Sequence, residues 1–170
     1  MIIGLSGKAQ SGKDTVGEYL VKKYGFVRVA SADALKRIAR NIFGWNGIKD
    51  EKGRTFLQDL GCSVRGYNKN YWINATMDDI MRHKQFGKIH FVITDVRFLN
   101  EAEILKSNGA LILRINRDGI QKFDHVSETE LDNYDFDMMI YNNSTIRELY
   151  DHVDFLIANK VEVTINHESK

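Results

Sequence analysis

Met1-Ile2-Ile3-Gly4-Leu5-Ser6-Gly7-Lys8-Ala9-Gln10-Ser11-Gly12-Lys13-Asp14-Thr15 opens the chain and decides how the rest is read. A short apolar run comes first and reads as a buried strand. Gly7 and Gly12 bracket a tight loop that ends in Lys13. Beyond it, Val16, Tyr19, Leu20 and Tyr24 share one side of an amphipathic helix. Strand, glycine loop, lysine, helix is the layout of a phosphate-binding loop. Glycines let the backbone curl so that several N–H groups meet one anion. The next helix adds the partial positive charge of its N-terminus. Lys13 then supplies a mobile cation for β and γ phosphates. The spacing Gly7-x-x-x-x-Gly12-Lys13 fits, but the Ser or Thr that normally follows is Asp14, with Thr15 one step later.

The composition sets the frame around this loop. A length of 170 residues is most simply one domain, 1–170, long enough to bury a useful core. A net charge of +1 argues against a general nucleic-acid binder. Cys62 is the sole cysteine, so no intrachain disulfide or cysteine-based metal cluster can form. No apolar run approaches the length of a membrane span, and the start lacks a basic signal-peptide head. The expectation is a soluble, cytoplasmic chain.

Further strands are expected at Phe26–Ala30, His90–Thr94, Ala110–Ile115 and Phe136–Tyr141. Between them lie helical patterns. Ser31 and Asp33 are placed to cap one that carries Leu35, Ile38, Ala39, Ile42 and Phe43 and ends at Gly44. A second starts near Gly53, a third near Asn70 and a fourth spans Glu101 to Asn108. The turn Asn142–Thr145 caps a last helix with Ile146, Leu149, Val153 and Leu156. Asn116 to Asp135 has no period and reads as a long loop or short lid, and Val161, Val163 and Ile165 as a short edge strand. Strands alternating with helices imply an α/β fold, a parallel five-stranded sheet with helices on both faces. Ligands bind such sheets at the carboxyl ends of the strands. That rule gathers the loop after Leu5, Ser31 to Asp33, Asp95 to Arg97, Asn116-Arg117 and Asn142 to Thr145 on one edge.

Several residues there can carry chemistry. Asp95 ends an apolar strand, where it either holds a magnesium water or caps the next helix. Arg97 can grip a phosphate bidentately. Arg54 and Gln58 are four apart on one helix face, with Arg65 further along. They read as an acceptor's phosphate and base contacts or as a solvated face; Lys36 and Arg37 carry the same ambiguity. The segment Arg117 to Glu128 combines Arg, Lys and His and can close over transferring phosphates, or be an exposed connection. His125 reads more readily as packed than as a general base. No Ser-His-Asp arrangement or zinc-ligand spacing is visible. Asn159-Lys160-Val161-Glu162 resembles a guanine-recognition motif only by chance.

Taken in order, these residues resemble the deoxynucleoside monophosphate kinases of bacteriophages, within the P-loop kinase superfamily. That family has a Leu-Ser-Gly loop ending in Ser-Gly-Lys-Asp-Thr, like Leu5 to Thr15, so Asp14 is normal there. Leu57-Gln58-Asp59-Leu60-Gly61 and Tyr71-Trp72 are similar to its central helix. Asp95, Arg97 and Glu101 match its Asp-x-Arg with a Glu shortly after; Asn108-Gly109-Ala110, His125-Val126-Ser127-Glu128 and Asn142 to Thr145 follow in the family's order.

The resemblance implies an NMP-kinase-like fold with a short lid, about residues 117–135, and an acceptor-binding helical region, about 33–86. It implies phosphoryl transfer from ATP, with Mg2+, to a (deoxy)nucleoside monophosphate. ATP would meet Gly7, Ala9, Ser11, Gly12, Lys13, Asp14, Thr15, Arg117, Asn142, Asn143 and Ser144. The acceptor would meet Asp33, Lys36, Arg54, Gln58, Arg65, Trp72 and Arg97. Lys13, Asp95 and Arg97 would be catalytic, and Asp14 and Asp95 would serve the metal. The stretch from Phe43 to Arg54 is short beside larger family members, which leaves acceptor identity and a homodimer open. Two rivals remain: a small-metabolite kinase of the same fold, acting on dephospho-coenzyme A or phosphomevalonate, and a nucleotide-binding regulatory module without transfer. The second would not need Arg54, Arg65 and Arg97.

Overall fold

Among the described residues, five short strands, each ending in a polar loop, lie side by side in the order β2-β3-β1-β4-β5. The computed structural model describes residues 1–120 and 126–168. β1 (Ile2–Ser6) is central and buried at every position, which its apolar run requires. β3 (Phe91–Ile93) and β4 (Ala110–Asn116) flank it in parallel, and β2 (Val27–Val29) and β5 (Met138–Tyr141) form the parallel edges. All five carboxyl ends therefore fall on one edge, as expected.

Helices cover both faces. On one, Ile3, Leu5, Val92 and Leu113 pack with Val16 and Leu20 of α1 (Lys13–Tyr24) and Leu149 and Val153 of α7 (Ile146–Glu168). On the other, Ile2, Phe91, Ile93 and Ile112 pack with Ile73 and Ile80 of α4 (Tyr71–Gln85) and Ala102 and Leu105 of α5 (Leu99–Ser107). The split follows strand alternation, in which neighbouring residues face opposite sides. Gly17 lets α1 approach β3, since a Cβ there would lie 2.6 Å from Thr94 Cγ2.

Element ends differ from expectation in four informative places. α2 (Ser31–Phe43) is not capped by Ser31 or Asp33; its N-cap position is Ala30. Asp95 takes the role from across the sheet, accepting from Ser31 N at 3.1 Å and Ala32 N at 2.9 Å. α3 (Glu51–Tyr67) starts before Gly53 because Asp50 accepts from Gly53 N at 2.7 Å. α5 likewise starts two residues before Glu101, whose side chain accepts from Phe98 N at 3.2 Å. Finally, the chain at 161–165 continues α7 instead of forming an edge strand. No glycine or proline interrupts that run, so its local alternation is overridden by helix propagation.

Candidate active site

The loop between β1 and α1 has the backbone the glycines allow. Gly7 takes φ 148° and Gly12 φ 108°, outside the range of most side chains. A Cβ on Gly7 would strike Ile115 O, and one on Gly12 would lie 2.5 Å from Asn142 Nδ2. Lys13 Nζ donates to Gly7 O and Lys8 O, both at 2.6 Å, folding over the loop it follows. Asn142 Nδ2 donates to Ser11 O at 2.9 Å and ties the loop to the end of β5. Ser11 Oγ is buried without a hydrogen-bond partner. An orphaned hydroxyl inside a ring of backbone groups suits a phosphate oxygen as its missing partner. Asp14 is exposed in the first turn of α1, one residue past the helix start; the N-cap is Gly12. Among the described residues no group of three acidic, His or Cys side chains could hold an ion. A metal at Asp14 or Asp95 would thus take most of its shell from phosphate oxygens and water, the usual habit of magnesium.

Beside the loop lies a cavity of about 620 Å³. Ala9 of the phosphate loop forms part of its rim. Arg54, Gln58 and Arg65 of α3 line it together with Arg97 and Asp95 from the loop after β3. Leu35, Leu57 and Trp72 give it apolar walls, and Lys36 and Lys49 add charge. Most of the expected acceptor residues are therefore brought together. Asp33 is the exception: it does not line the cavity but pairs with Arg28 at 2.8 Å and Lys36 at 3.3 Å. Trp72 is buried, and its Nε1 donates to Gly61 O at 3.1 Å, so its ring serves as wall. Arg54 Nε donates to Lys49 O at 3.0 Å.

Two carboxyl groups sit at the base of this cavity. Burial pushes Asp95 above the ordinary carboxylate range, opposed by the amides of Ala32 and Ser31 and by Arg97. Both of its oxygens face the first turn of α2, so it caps a helix, though not the one that follows it in sequence. Glu101 is only 4% exposed, and desolvation raises it to about 7 against the pull of Arg97 N, Arg65 and Phe98 N. Glu101 stands out in the sequence only through the family resemblance. Its signal was a carboxylate beside Ala102 and Leu105 on the buried side of a short helix.

The opposite side of the phosphate loop is more open. Arg117, Asn143 and Ser144 are exposed. Asn143 accepts from Asp118 N at 2.8 Å and donates to Asp118 Oδ2 at 2.7 Å, fastening the loop after β4 to the loop after β5. Within the expected lid, Val126–Thr129 forms the short helix α6, and Ser127 reaches the cavity rim. His125 and the Glu128 side chain lie outside the described residues. A further network has no motif of its own in the sequence. Arg114 of β4 is 7% exposed, donates to Ser6 Oγ at 3.1 Å and pairs with Asp132 at 2.6 Å, which also meets Lys8 at 3.4 Å. An arginine inside the apolar run of β4 was the available signal.

A glycine-lysine loop beside a cavity lined by three arginines, at the carboxyl edge of a parallel sheet, is the layout of a P-loop kinase. Solved kinases share the fold. Shikimate kinase from Aquifex aeolicus superposes with a TM-score of 0.57 at 16% identity, over 95% of this chain and 98% of its own. Dephospho-CoA kinase from Campylobacter jejuni gives 0.58 at 12%, over 96% and 98%. Such identities speak for fold alone.

Sequence comparison narrows the class. The deoxynucleotide monophosphate kinase family profile matches residues 46–153. A putative deoxynucleotide monophosphate kinase of Acanthamoeba polyphaga mimivirus is 32% identical, over 94% of this chain and 97% of that protein. The chain belongs to the deoxynucleotide monophosphate kinase family and is a phosphotransferase. The namesake kinase of Escherichia phage RB69 is 25% identical over 79% of this chain, which spans 54% of the phage protein. Neither the small-metabolite kinase nor the non-catalytic module is favoured by these matches. Among the described residues no helix is long and apolar enough to cross a membrane.

Proposed function

We propose that the chain transfers the γ-phosphoryl group of ATP to the phosphate of a 2′-deoxynucleoside monophosphate, giving the diphosphate. One observation carries this reading: Ala9 of the phosphate loop and Arg54, Arg65 and Arg97 border a single cavity. Donor and acceptor phosphates placed on these two sides would meet across it. The helical region, about 33–86, would then form the acceptor side, and the segment at about 117–135 the lid.

The chemistry asked of the protein is positioning and charge neutralisation. An acceptor phosphate oxygen is already a nucleophile, so no strong base is needed. Backbone N–H groups of the loop hold the donor phosphates, and Ser11 Oγ gains its partner there. Lys13 leaves its two loop carbonyls to offset charge on the β and γ oxygens. Arg97 grips the acceptor or transferring phosphate, while Arg54 and Arg65 orient the acceptor. Asn142, with Asn143, Ser144 and Arg117 beyond it, frames the side where the adenine would lie. Magnesium, when bound, would screen the phosphate oxygens, and Asp14, exposed beside the loop, would serve it. Leu35, Leu57 and Trp72 keep the base in an apolar environment, and Gln58 offers it both a donor and an acceptor.

Monophosphate-dependent ADP formation tests the reading. dAMP, dGMP, dCMP and dTMP should be compared with shikimate, dephospho-coenzyme A and phosphomevalonate. Turnover with at least one deoxynucleoside monophosphate is expected. Turnover only with a metabolite control would overturn the assignment.

A further inference from the structure

We infer that Glu101 is a positioning residue of the acceptor subsite, one buried carboxylate that sets the orientation of Arg65 and the backbone that carries Arg97. The inference rests on the acceptor reading proposed above. Its basis is how the two oxygens of Glu101 are used. Oε2 accepts from Arg97 N at 3.0 Å and from Phe98 N at 3.2 Å. Oε1 faces Arg65 Nη2 at 3.8 Å. The Arg65 guanidinium lies 3.9 Å from the centre of the Phe98 ring. Glu101 is thus the charge partner of Arg65 and also the acceptor for the backbone of the ring beneath it. Away from Glu101 and Phe98, Arg65 Nη1 reaches Gly61 O only at 3.5 Å.

The arrangement has a physical use. An arginine side chain has many rotamers, and bidentate recognition of a phosphate needs the guanidinium plane fixed. Stacking on one face and a carboxylate at one edge fix it before the acceptor arrives. Arg65 and Arg97 come from elements thirty-two residues apart, α3 and the loop after β3. Glu101, on α5, meets both segments. A buried carboxylate is costly unless paired. A glutamine would satisfy the same two amides without charge, so helix capping alone does not explain a carboxylate here. The charge faces Arg65.

A double-mutant cycle tests this, using steady-state kinetics at about pH 8 with whichever deoxynucleoside monophosphate turns over fastest. Glu101→Gln keeps an oxygen for the two amides and removes the charge opposite Arg65. It should raise the monophosphate KM about tenfold and leave the ATP KM within about twofold. In an Arg65→Gln background the same change should raise the monophosphate KM by less than about twofold, because the group it acts through is gone. Circular dichroism and thermal melting of each variant separate misfolding from mispositioning. Should Glu101→Gln fail to fold, Glu101→Asp supplies the second arm. It keeps the charge but draws it back from Arg65, and should raise the monophosphate KM while leaving the ATP KM unchanged, an unchanged monophosphate KM overturning the inference. An unchanged monophosphate KM in Glu101→Gln, an equal rise in both KM values, or additive effects in the cycle would overturn the inference while leaving the kinase reading intact. If no monophosphate supports turnover by the wild-type chain, the acceptor reading falls and this inference falls with it.

Discussion

The two halves of the active site are built by different means. The donor side is local: Gly7, Ser11, Gly12 and Lys13 lie within seven residues, and the lysine bonds carbonyls five and six residues back. The acceptor side is assembled from α2, α3, α4 and the loop after β3, and its carboxylates act across long sequence separations. Asp95 caps α2 from 64 residues away. On the proposed reading, backbone does most of the recognition on the donor side and long charged side chains do it on the acceptor side. A backbone loop needs only glycines at the right spacing. Charged side chains need partners to hold them: Arg65 faces the buried Glu101, Lys36 pairs with Asp33, and Arg54 donates to the Lys49 carbonyl.

The largest expected effect falls on the donor side. Lys13→Ala should lower kcat by about 100-fold or more, the scale of losing one strong electrostatic donor. Stability should change little. In the structure Lys13 contacts its own loop carbonyls, and the neighbouring core is carried by Val16 and Leu20. Single-turnover kinetics with saturating ATP check the first statement and urea denaturation the second. Near-normal turnover would remove the loop lysine from the mechanism and erase the contrast between the two sides.

The acceptor side should show itself in stability before it does in rate. Folding raises the pKa of Glu101 from its ordinary 4.5 to about 7, chiefly by desolvation. Between those values the folded chain holds a proton the unfolded chain has released. Its contribution is therefore fully present below about pH 4.5 and is lost as pH rises through about 7. The loss is on the order of 3 kcal/mol. Glu101→Gln should remove this slope. The difference in unfolding free energy between the two proteins, measured at about pH 5 and about pH 8, cancels the titrations they share. A constant difference would mean that Glu101 titrates in the folded chain as it does in the unfolded one.

This asymmetry also explains what could be read from the sequence. The phosphate loop was legible because its function is encoded in consecutive residues whose spacing is the mechanism. The parallel sheet was legible because β1, β3 and β4 are apolar runs of strand length, and the carboxyl-edge rule then gathered Asp95, Arg97 and Asn142. Arg54, Gln58 and Arg65 were located by helical spacing, but spacing could not separate a cavity face from a solvated one. That distinction needed α4 and the loop after β3 in place. Partnerships were not legible at all. The pairing of Asp33 with Arg28 and Lys36 left no mark in the sequence, and Ser31 looked like a cap and instead donates its own amide to Asp95. Arg114 and Asp132 are ordinary surface residue types until β4 and the segment after α6 converge on Lys8.

The smallest expected effect concerns metal, and it separates the two acids that spacing alone left equivalent. In this structure they differ. Asp14 is exposed on the first turn of α1, and the N-cap position belongs to Gly12, so capping does not account for it. Asp95 gives both oxygens to the amides of Ser31 and Ala32. If Asp14 serves the metal, Asp14→Asn removes a hard anionic ligand. The magnesium needed for half-maximal rate should then rise several-fold, with manganese restoring part of the loss. Asp95→Asn keeps one accepting oxygen and loses the other, which weakens the start of α2. Leu35 and Lys36 of that helix line the acceptor cavity, so the monophosphate KM should rise while magnesium dependence stays near wild type. Titrating magnesium at saturating ATP, and then monophosphate at saturating magnesium, gives four numbers for two variants. A magnesium shift confined to Asp95→Asn would reverse the assignment, making Asp95 the ligand. Shifts of equal size in both would mean that the metal shell draws on the two carboxylates together, across the boundary between the donor and acceptor sides.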